Sequence, residues 1–556
     1  MKRNINLSRT TRFFVGALMI AATITSCTDL ELEETDSVIA DARFAGVTEP
    51  SSFLDGVFGQ LYGQIGTQSN IFALSEVTTD AALIPTRGAD WGDNGAWRQL
   101  HQHNWPVNQR DIEATFQEFN SIHFKAAQVL SELTTAATTE DRGNAFFLRA
   151  MGMWVILDNF AQVPVRDPAA PLFDDVVVLR GQEAVDQIVS DLNEAIDVLP
   201  AGGPGAGGGE FAAHIRPTKA AARFLLAKVL LNKHIYLETT PDNADMQQVV
   251  SLVDQIAGDS YGIESGYFNI FRPESDNESI LVGTAATDAR VFNGLHYNSS
   301  NVRGGGWNGF STLAEYYDLF EGDENTNVAG SGQEERRGVV PTIGTPFTGE
   351  DGTEDVLTHP LPTNADQGPD GFTDGSSVGV GFLIGQQYGD TGAALEARNG
   401  SGPLKFTRDF TDGNGDINLI NNNEVTGIRV TKYNISYDQG RNRNHLIVFR
   451  YSDAHLMKAE AIHRSGGDAT AMINELRLIR NATPLGAVTD QDILDERGRE
   501  LYAELWRRND LVRFGQFTND WQLKDPAYVG DDSRNKFPIP ASQLILNPNL
   551  TQNPGY

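Results

Sequence analysis

Between Thr489 and Tyr556 the chain couples a strongly patterned helix to a proline-punctuated tail, and few folds accommodate both. Thr489 followed three residues later by Asp492 reads as a capping-box-like start. Leu494, Leu501, Leu505 and Val512 then recur at helical spacing down to Phe514 and Gly515. The spacing predicts one long amphipathic helix with a glycine stop. Its other face carries Glu496, Arg497, Glu500, Glu504, Arg507, Arg508, Asp510 and Arg513, at separations that allow pairs such as Glu504 to Arg508. Composition alone leaves open whether this is simply a solvated charge face, in which each exposed pair contributes about 0 to 1 kcal/mol. The prolines beyond it lock φ and remove backbone donors, so the tail is expected to lie extended over the body as a clamp.

The run Glu496-Arg497-Gly498-Arg499-Glu500-Leu501, continuing to Glu504, Arg507, Asp510, Leu511, Arg513 and Gly515, resembles the signature helix of the SusD/RagB family of nutrient-binding outer-membrane lipoproteins. The ending Phe537-Pro538-Ile539-Pro540, then Asn547-Pro548-Asn549-Leu550 and Gln552-Asn553-Pro554-Gly555-Tyr556, resembles the same family's terminal segment. Leu505 departs from the pattern, standing where family members usually have glycine.

At the other end, Met1 to Ser26 holds four basic residues and no acidic one around an apolar run from Phe13 to Ile24. That is the pattern of a secretory signal, too short for a stable membrane span. It leads into Ile24-Thr25-Ser26-Cys27, which resembles a bacterial lipobox, and Cys27 is the only cysteine in 556 residues. A lone cysteine in a secreted chain makes no internal disulfide, so Cys27 is expected to be a lipid acceptor. Residues 27–45 would then form an acidic tether. In the bacterial group that carries the family, acids such as Asp29, Glu31, Glu33 and Glu34 favour the outer face of the outer membrane.

Taking the four basic residues of the signal from the 43 Lys and Arg leaves 39 against 74 Asp and Glu, a net charge of −35. Such a field repels nucleic acid and other polyanions, which points to a neutral partner.

Helical periodicity marks Phe116 to Leu133, Phe146 to Leu157, Val185 to Leu199, Thr218 to Leu237 and Met246 to Ala257 within a lobe spanning 46–259. Phe147-Leu148-Arg149-Ala150 and Arg216-Pro217-Thr218-Lys219-Ala220-Ala221 add to the family resemblance, which implies a mainly α fold of tetratricopeptide-like helical hairpins. No clean 34-residue repeat is visible. Residues 260–449 are glycine-rich and weakly periodic, with possible short strands at Ser279 to Gly283 and Val425 to Lys432. This is expected to be a large loop-rich insertion bearing the ligand region. Helices return in 450–556, at Leu456 to Ala461 and Asp468 to Arg480, to complete the helical lobe.

A glycan has apolar ring faces and a rim of hydroxyls, so its site wants aromatic platforms flanked by amides, carboxylates or arginines. Two loops have that composition: Arg87 to Arg98, and Asn293 to Asn298 with Gly304 to Asn308. The resemblance implies ligand contacts from these regions without assigning residues. Trp91 and Trp307 are the candidate platforms, with Tyr297, Asn94, Asp90 and Arg87 as hydrogen-bonding partners. Either tryptophan is as readily a loop anchor, and Trp97 and Trp105 read more as anchors. His101-Gln102-His103 lacks the further ligand that a metal site needs. Asp412-Gly413-Asn414-Gly415-Asp416-Ile417-Asn418 alternates oxygen ligands like a calcium loop, but Ile417 replaces the sixth-position glycine and Asn423 stands twelfth; a hairpin turn explains it as well. No cofactor is otherwise implied.

The sequence holds no His-Glu-x-x-His and no phosphate loop. Two carboxylates would serve a glycosidase, so the expectation of a binding protein, not an enzyme, rests on the resemblance. It implies capture of a glycan and its delivery to a SusC-like TonB-dependent transporter. Peptide cargo, as in the RagB branch, and a secreted glycan hydrolase are the alternatives.

Overall fold

The computed structural model describes residues 44–171, 176–204, 215–271, 276–283, 308–327, 332–339, 402–432 and 446–556, with short pieces at 346–348, 354–356, 380–387, 394 and 396–397. Cys27, Tyr297 and Trp307, with the whole signal segment, lie outside them. Residues 46–168 and 175–556 form one compact unit; residues 1–45 and 169–174 are assigned to a second, small one. Among the described residues no helix is long and apolar enough to cross a membrane.

The scaffold is helical, as expected of tetratricopeptide-like hairpins. Its elements are α1 (Pro50–Gly66), α2 (Ala96–Gln102), α3 (Arg110–Leu130), α4 (Thr139–Phe160), α5 (Gly181–Val198), α6 (Lys219–Tyr236), α7 (Asn243–Gly258) and the single turn α8 (Ala314–Tyr317). After the insertion come α9 (Tyr451–Arg464), α10 (Thr470–Ile479), α11 (Asp490–Leu501), α12 (Arg507–Arg513) and α13 (Ala541–Leu546). The chain stacks α3 on α4, α4 on α5, α5 on α6 and α6 on α7, and α9 returns to pack on α7. Local chemistry sets the starts. Gln109 accepts from the amides of Asp111 and Ile112, and Thr138 makes a reciprocal capping box with Asp141. Gly152 lets α3 and α4 approach closely, since a Cβ there would lie 2.9 Å from the Phe119 carbonyl oxygen. Ser279–Gly283 is a strand as expected, pairing antiparallel with Leu446–Arg450, and Arg429–Thr431 lies within the second expected strand. Helix α1 was not foreseen, although Leu54, Val57, Phe58, Leu61 and Ile65 all face the core.

The stretch from Thr489 to Gly515 is not one helix. The Thr489–Asp492 capping box forms and Gly515 (φ +67°) follows the end of α12, but between α11 and α12 the chain turns through Ala503 (φ +58°) and Leu505 (φ +83°). Hydrophobic spacing continues through this break, so periodicity alone does not reveal it. The charged face is not solvated either: Glu496, Arg497, Glu500, Glu504, Arg507, Arg508, Asp510 and Arg513 are all buried. Arg336 meets Glu496 at 2.8 Å, Arg480 meets Glu500 at 2.8 Å, Arg497 meets Asp453 at 2.8 Å and Asp510 at 2.9 Å, and Arg513 meets Glu460 at 2.7 Å. The expected Glu504–Arg508 pair gives way to longer-range partners: Glu504 takes Arg450 at 2.6 Å and Lys432 at 2.5 Å, while Arg508 takes Asp158 at 3.0 Å. Burial alone would raise the Glu496 carboxyl, but Arg336, Arg499 and Arg477 outweigh it and hold it at about 2. Burial pushes Lys432 down to about 7 against the pull of Glu504.

The tail clamps the lobe, but it is not extended throughout: the 3-10 turns Pro526–Tyr528 and Asp532–Asn535, the short helix α13 and several tight turns break it up, and only short runs such as Phe537–Pro540 are extended. Phe537 N donates to Asn159 O at 2.8 Å, and Asn553 Nδ2 to Phe160 O at 3.0 Å, capping the end of α4. Trp105 is an anchor: it is buried, and its Nε1 donates to the Tyr556 hydroxyl at 2.8 Å.

Candidate functional site

The loop between Arg87 and α2 is built from left-handed residues. A tight turn pairs Arg87 and Asp90 through two backbone hydrogen bonds of 3.0 Å, with Gly88 at φ +60°. Trp91 (φ +60°), Asp93 (+38°), Asn94 (+54°) and Gly95 (+83°) follow. Asp, Asn and Gly tolerate that region, but a tryptophan does so only when tertiary contacts hold it. Those contacts are present. The Trp91 indole packs edge-on against Trp97 (5.4 Å, 67°) and Phe310 (5.8 Å, 83°), and it lies so close to Gly309 that a Cβ there would come within 2.4 Å of the ring.

Half-buried Trp91 opens on a cleft of about 710 Å³, whose walls include Asp90, Asp93, Trp97, Arg110 and the segment Gln68 to Asn70. Trp97 Nε1 donates to Asp93 Oδ2 at 2.5 Å. Asp111, itself buried, accepts the amide of Asn70 (φ +54°) at 3.1 Å and so pins the far wall to α3. Arg110 reaches Asp93 at 3.5 Å and Asp111 at 3.4 Å. An aromatic surface, three carboxylates and a guanidinium thus converge on one space large enough for a small ligand.

Of the candidates among the described residues, the structure brings Asp90 and Trp91 to this cleft and leaves Asn94 exposed on the same loop. Arg87 is corrected: its side chain is 3% exposed and turned inward, donating to Asn422 Oδ1 at 2.5 Å, Asn423 O at 2.5 Å and Ser311 Oγ at 2.9 Å. It ties the loop to the body and does not line the cleft. Arg110, Asp93 and Asp111 were missed. Asp93 lies in the Trp91 loop itself, whereas Arg110 and Asp111 open a helix whose pattern reads as core, and only the fold sets those two opposite the tryptophan.

His101 and His103 are buried, with ring nitrogens on the backbone carbonyls of Ala82 (3.1 Å), Gln522 (2.9 Å) and Thr78 (2.7 Å); burial pushes His101 down to about 4. Among the described residues no group of three or more His, Cys, Asp or Glu side chains is placed to hold a metal ion. In the acidic loop the Asp412 carboxylate accepts the amides of Asn414 (2.8 Å) and Asp416 (3.2 Å), and Thr411 bridges Ile417 as in a hairpin turn. Gly375-Ser376-Ser377-Val378-Gly379, which has the spacing of a nucleophile elbow, lies outside the described residues.

A family profile described as the SusD family matches residues 277–556, and one described as starch-binding associating with outer membrane matches residues 54–231. The chain is 28% identical over 525 residues to the starch-binding protein SusD of Bacteroides thetaiotaomicron, spanning 90% of this chain and 87% of that protein. Among solved structures, a SusD-like protein from Bacteroides fragilis superposes with a TM-score of 0.64 at 17% identity, covering 94% of this chain and 99% of that one. Surface glycan-binding protein A from Bacteroides uniformis superposes with a TM-score of 0.60 at 18% identity, covering 91% and 99%.

Proposed function

The chain belongs to the SusD family, and from that premise we propose that it is a glycan-binding protein of the outer membrane, anchored through lipidated Cys27 and facing the cell exterior. It captures a neutral oligo- or polysaccharide and delivers it to a SusC-like TonB-dependent transporter. It binds its glycan without cleaving it. The observation that carries the reading is the Trp91 indole, seated against Gly309 and open to a cleft rimmed by Asp90, Asp93 and Arg110. A pyranose ring stacks its apolar face on the indole, while its hydroxyls donate to the carboxylates. The net charge supports a neutral cargo, since polyanions meet a repulsive field. Asn94, Trp307 and Tyr297 are proposed as further ligand contacts.

The test is retention of soluble protein lacking Met1 to Cys27 on a panel of neutral and acidic polysaccharides, beside Trp91→Ala and Trp307→Ala, with product analysis on every mixture. Intact retention of one neutral glycan, lost in Trp91→Ala without unfolding, is the expected result. Cleavage of the sugar would make the protein a hydrolase, and an empty panel would turn the search to peptide cargo. Co-purification of full-length protein with the transporter, lost on Cys27→Ala together with membrane association, checks anchoring and partnership.

A further inference from the structure

Trp97 lines the cleft, yet it is only 2% exposed. Its ring is fixed by the bond to Asp93 and by Trp91 and Phe310 at its edges. Over its face sits the Arg110 guanidinium, with the central carbon 5.0 Å from the ring centroid. Arg110 is loosely held compared with the arginines of the interior. Its contacts to Asp93 and Asp111 are 3.4–3.5 Å, and its side chain is 47% exposed; Arg513, for example, meets Glu460 at 2.7 Å with both side chains fully buried. The pair with Asp93, exposed on both sides, is weak and salt-sensitive, the contact to buried Asp111 is long, and a solvated cation over an indole adds little more.

From this arrangement we infer that Arg110 is a displaceable cover on Trp97: a ligand entering the cleft swings the guanidinium aside and gains the Trp97 face as a second aromatic surface beside Trp91. The inference rests on the glycan-binding reading for its ligand, but the cover itself is a property of the free protein. Arg110 therefore sets how readily the inner half of the cleft is occupied. The covering position requires no movement of the backbone, because Arg110 stands at the first turn of α3, whose start is held by the Gln109 cap.

The experiment compares wild type with Arg110→Ala in two arms. Without ligand, acrylamide quenching of tryptophan fluorescence reports accessibility. Of the seven tryptophans, the increment is assigned to Trp97 by its disappearance in the same pair of proteins carrying Trp97→Phe. With the glycan retained in the panel, affinity is measured between about 0.05 and 0.5 M NaCl. The expected result is faster quenching in Arg110→Ala, affinity about two- to fivefold tighter than wild type at low salt, and a wild-type affinity that rises with salt while that of the variant stays flat. Weaker binding by Arg110→Ala would make Arg110 a direct ligand contact, and unchanged quenching would mean that it covers nothing; either overturns the inference. If neither protein retains a glycan, the functional reading fails, and the quenching arm alone decides the cover.

Discussion

The backbone amide of Leu505 donates to the Glu76 carboxylate at 2.7 Å across 429 residues of sequence, joining the turn between α11 and α12 to the π-helical turn Ala73–Val77 behind the cleft wall. This bond helps hold a buried leucine at φ +83°, a conformation that costs a side-chain-bearing residue on the order of 1–3 kcal/mol. The ordinary ranking of truncations should therefore reverse here. Leu505→Gly is expected to be more stable than Leu505→Ala by about 0.5–1 kcal/mol, since both lose the packing and only glycine releases the strain. Urea unfolding of the two variants decides it, and a more stable alanine variant would rule out the strain.

Gly309→Ala places a Cβ within 2.4 Å of the Trp91 ring. Either the indole or the loop carrying it must shift. The expected loss of stability is about 1–3 kcal/mol, with a changed near-ultraviolet dichroism signal and weakened glycan retention. An unchanged spectrum together with full retention would show that Trp91 does not depend on this seat.

The interior carboxylates predict acid lability. Glu496 is held at about 2 in the folded protein, below its unfolded value, so its contribution is present above the unfolded pKa and is lost as pH falls through about 4.5 towards 2. Urea midpoints at pH 7, 5 and 3 should be nearly equal for the first pair and fall sharply for the third. A flat profile to pH 3 would contradict the network.

Glu504 neutralises both Lys432 and Arg450, which are buried. Glu504→Gln takes this carboxylate from both cations, although Arg450 keeps Glu278 and Glu500, and is expected to lose about 3–5 kcal/mol, whereas breaking the exposed Lys536–Glu238 pair with Lys536→Ala should change stability by less than about 1 kcal/mol. Equal losses in a denaturant series would mean that the interior pairs are no more important than surface ones.

What the sequence by itself determined is what short-range chemistry dictates: the cap at Thr489, the helical periodicity of the lobe, the strand at Ser279 to Gly283, the glycine stop at Gly515 and the proline tail. Each depends on neighbours within a few turns, so spacing and residue type suffice. The tertiary structure alone decided where the charges point. Glu504 and Arg508 stand four apart and would suit a surface pair, but their partners, Arg450 and Asp158, are 54 and 350 residues away. The candidate site divides in the same way. A glycine-and-aromatic loop was visible around Trp91, while the inward turn of Arg87 towards Asn422, 335 residues on, and the placing of Arg110 over Trp97 depended on which elements pack together. A buried charge is stable only where the fold delivers its counter-charge, and that delivery is a long-range property that local patterning does not carry.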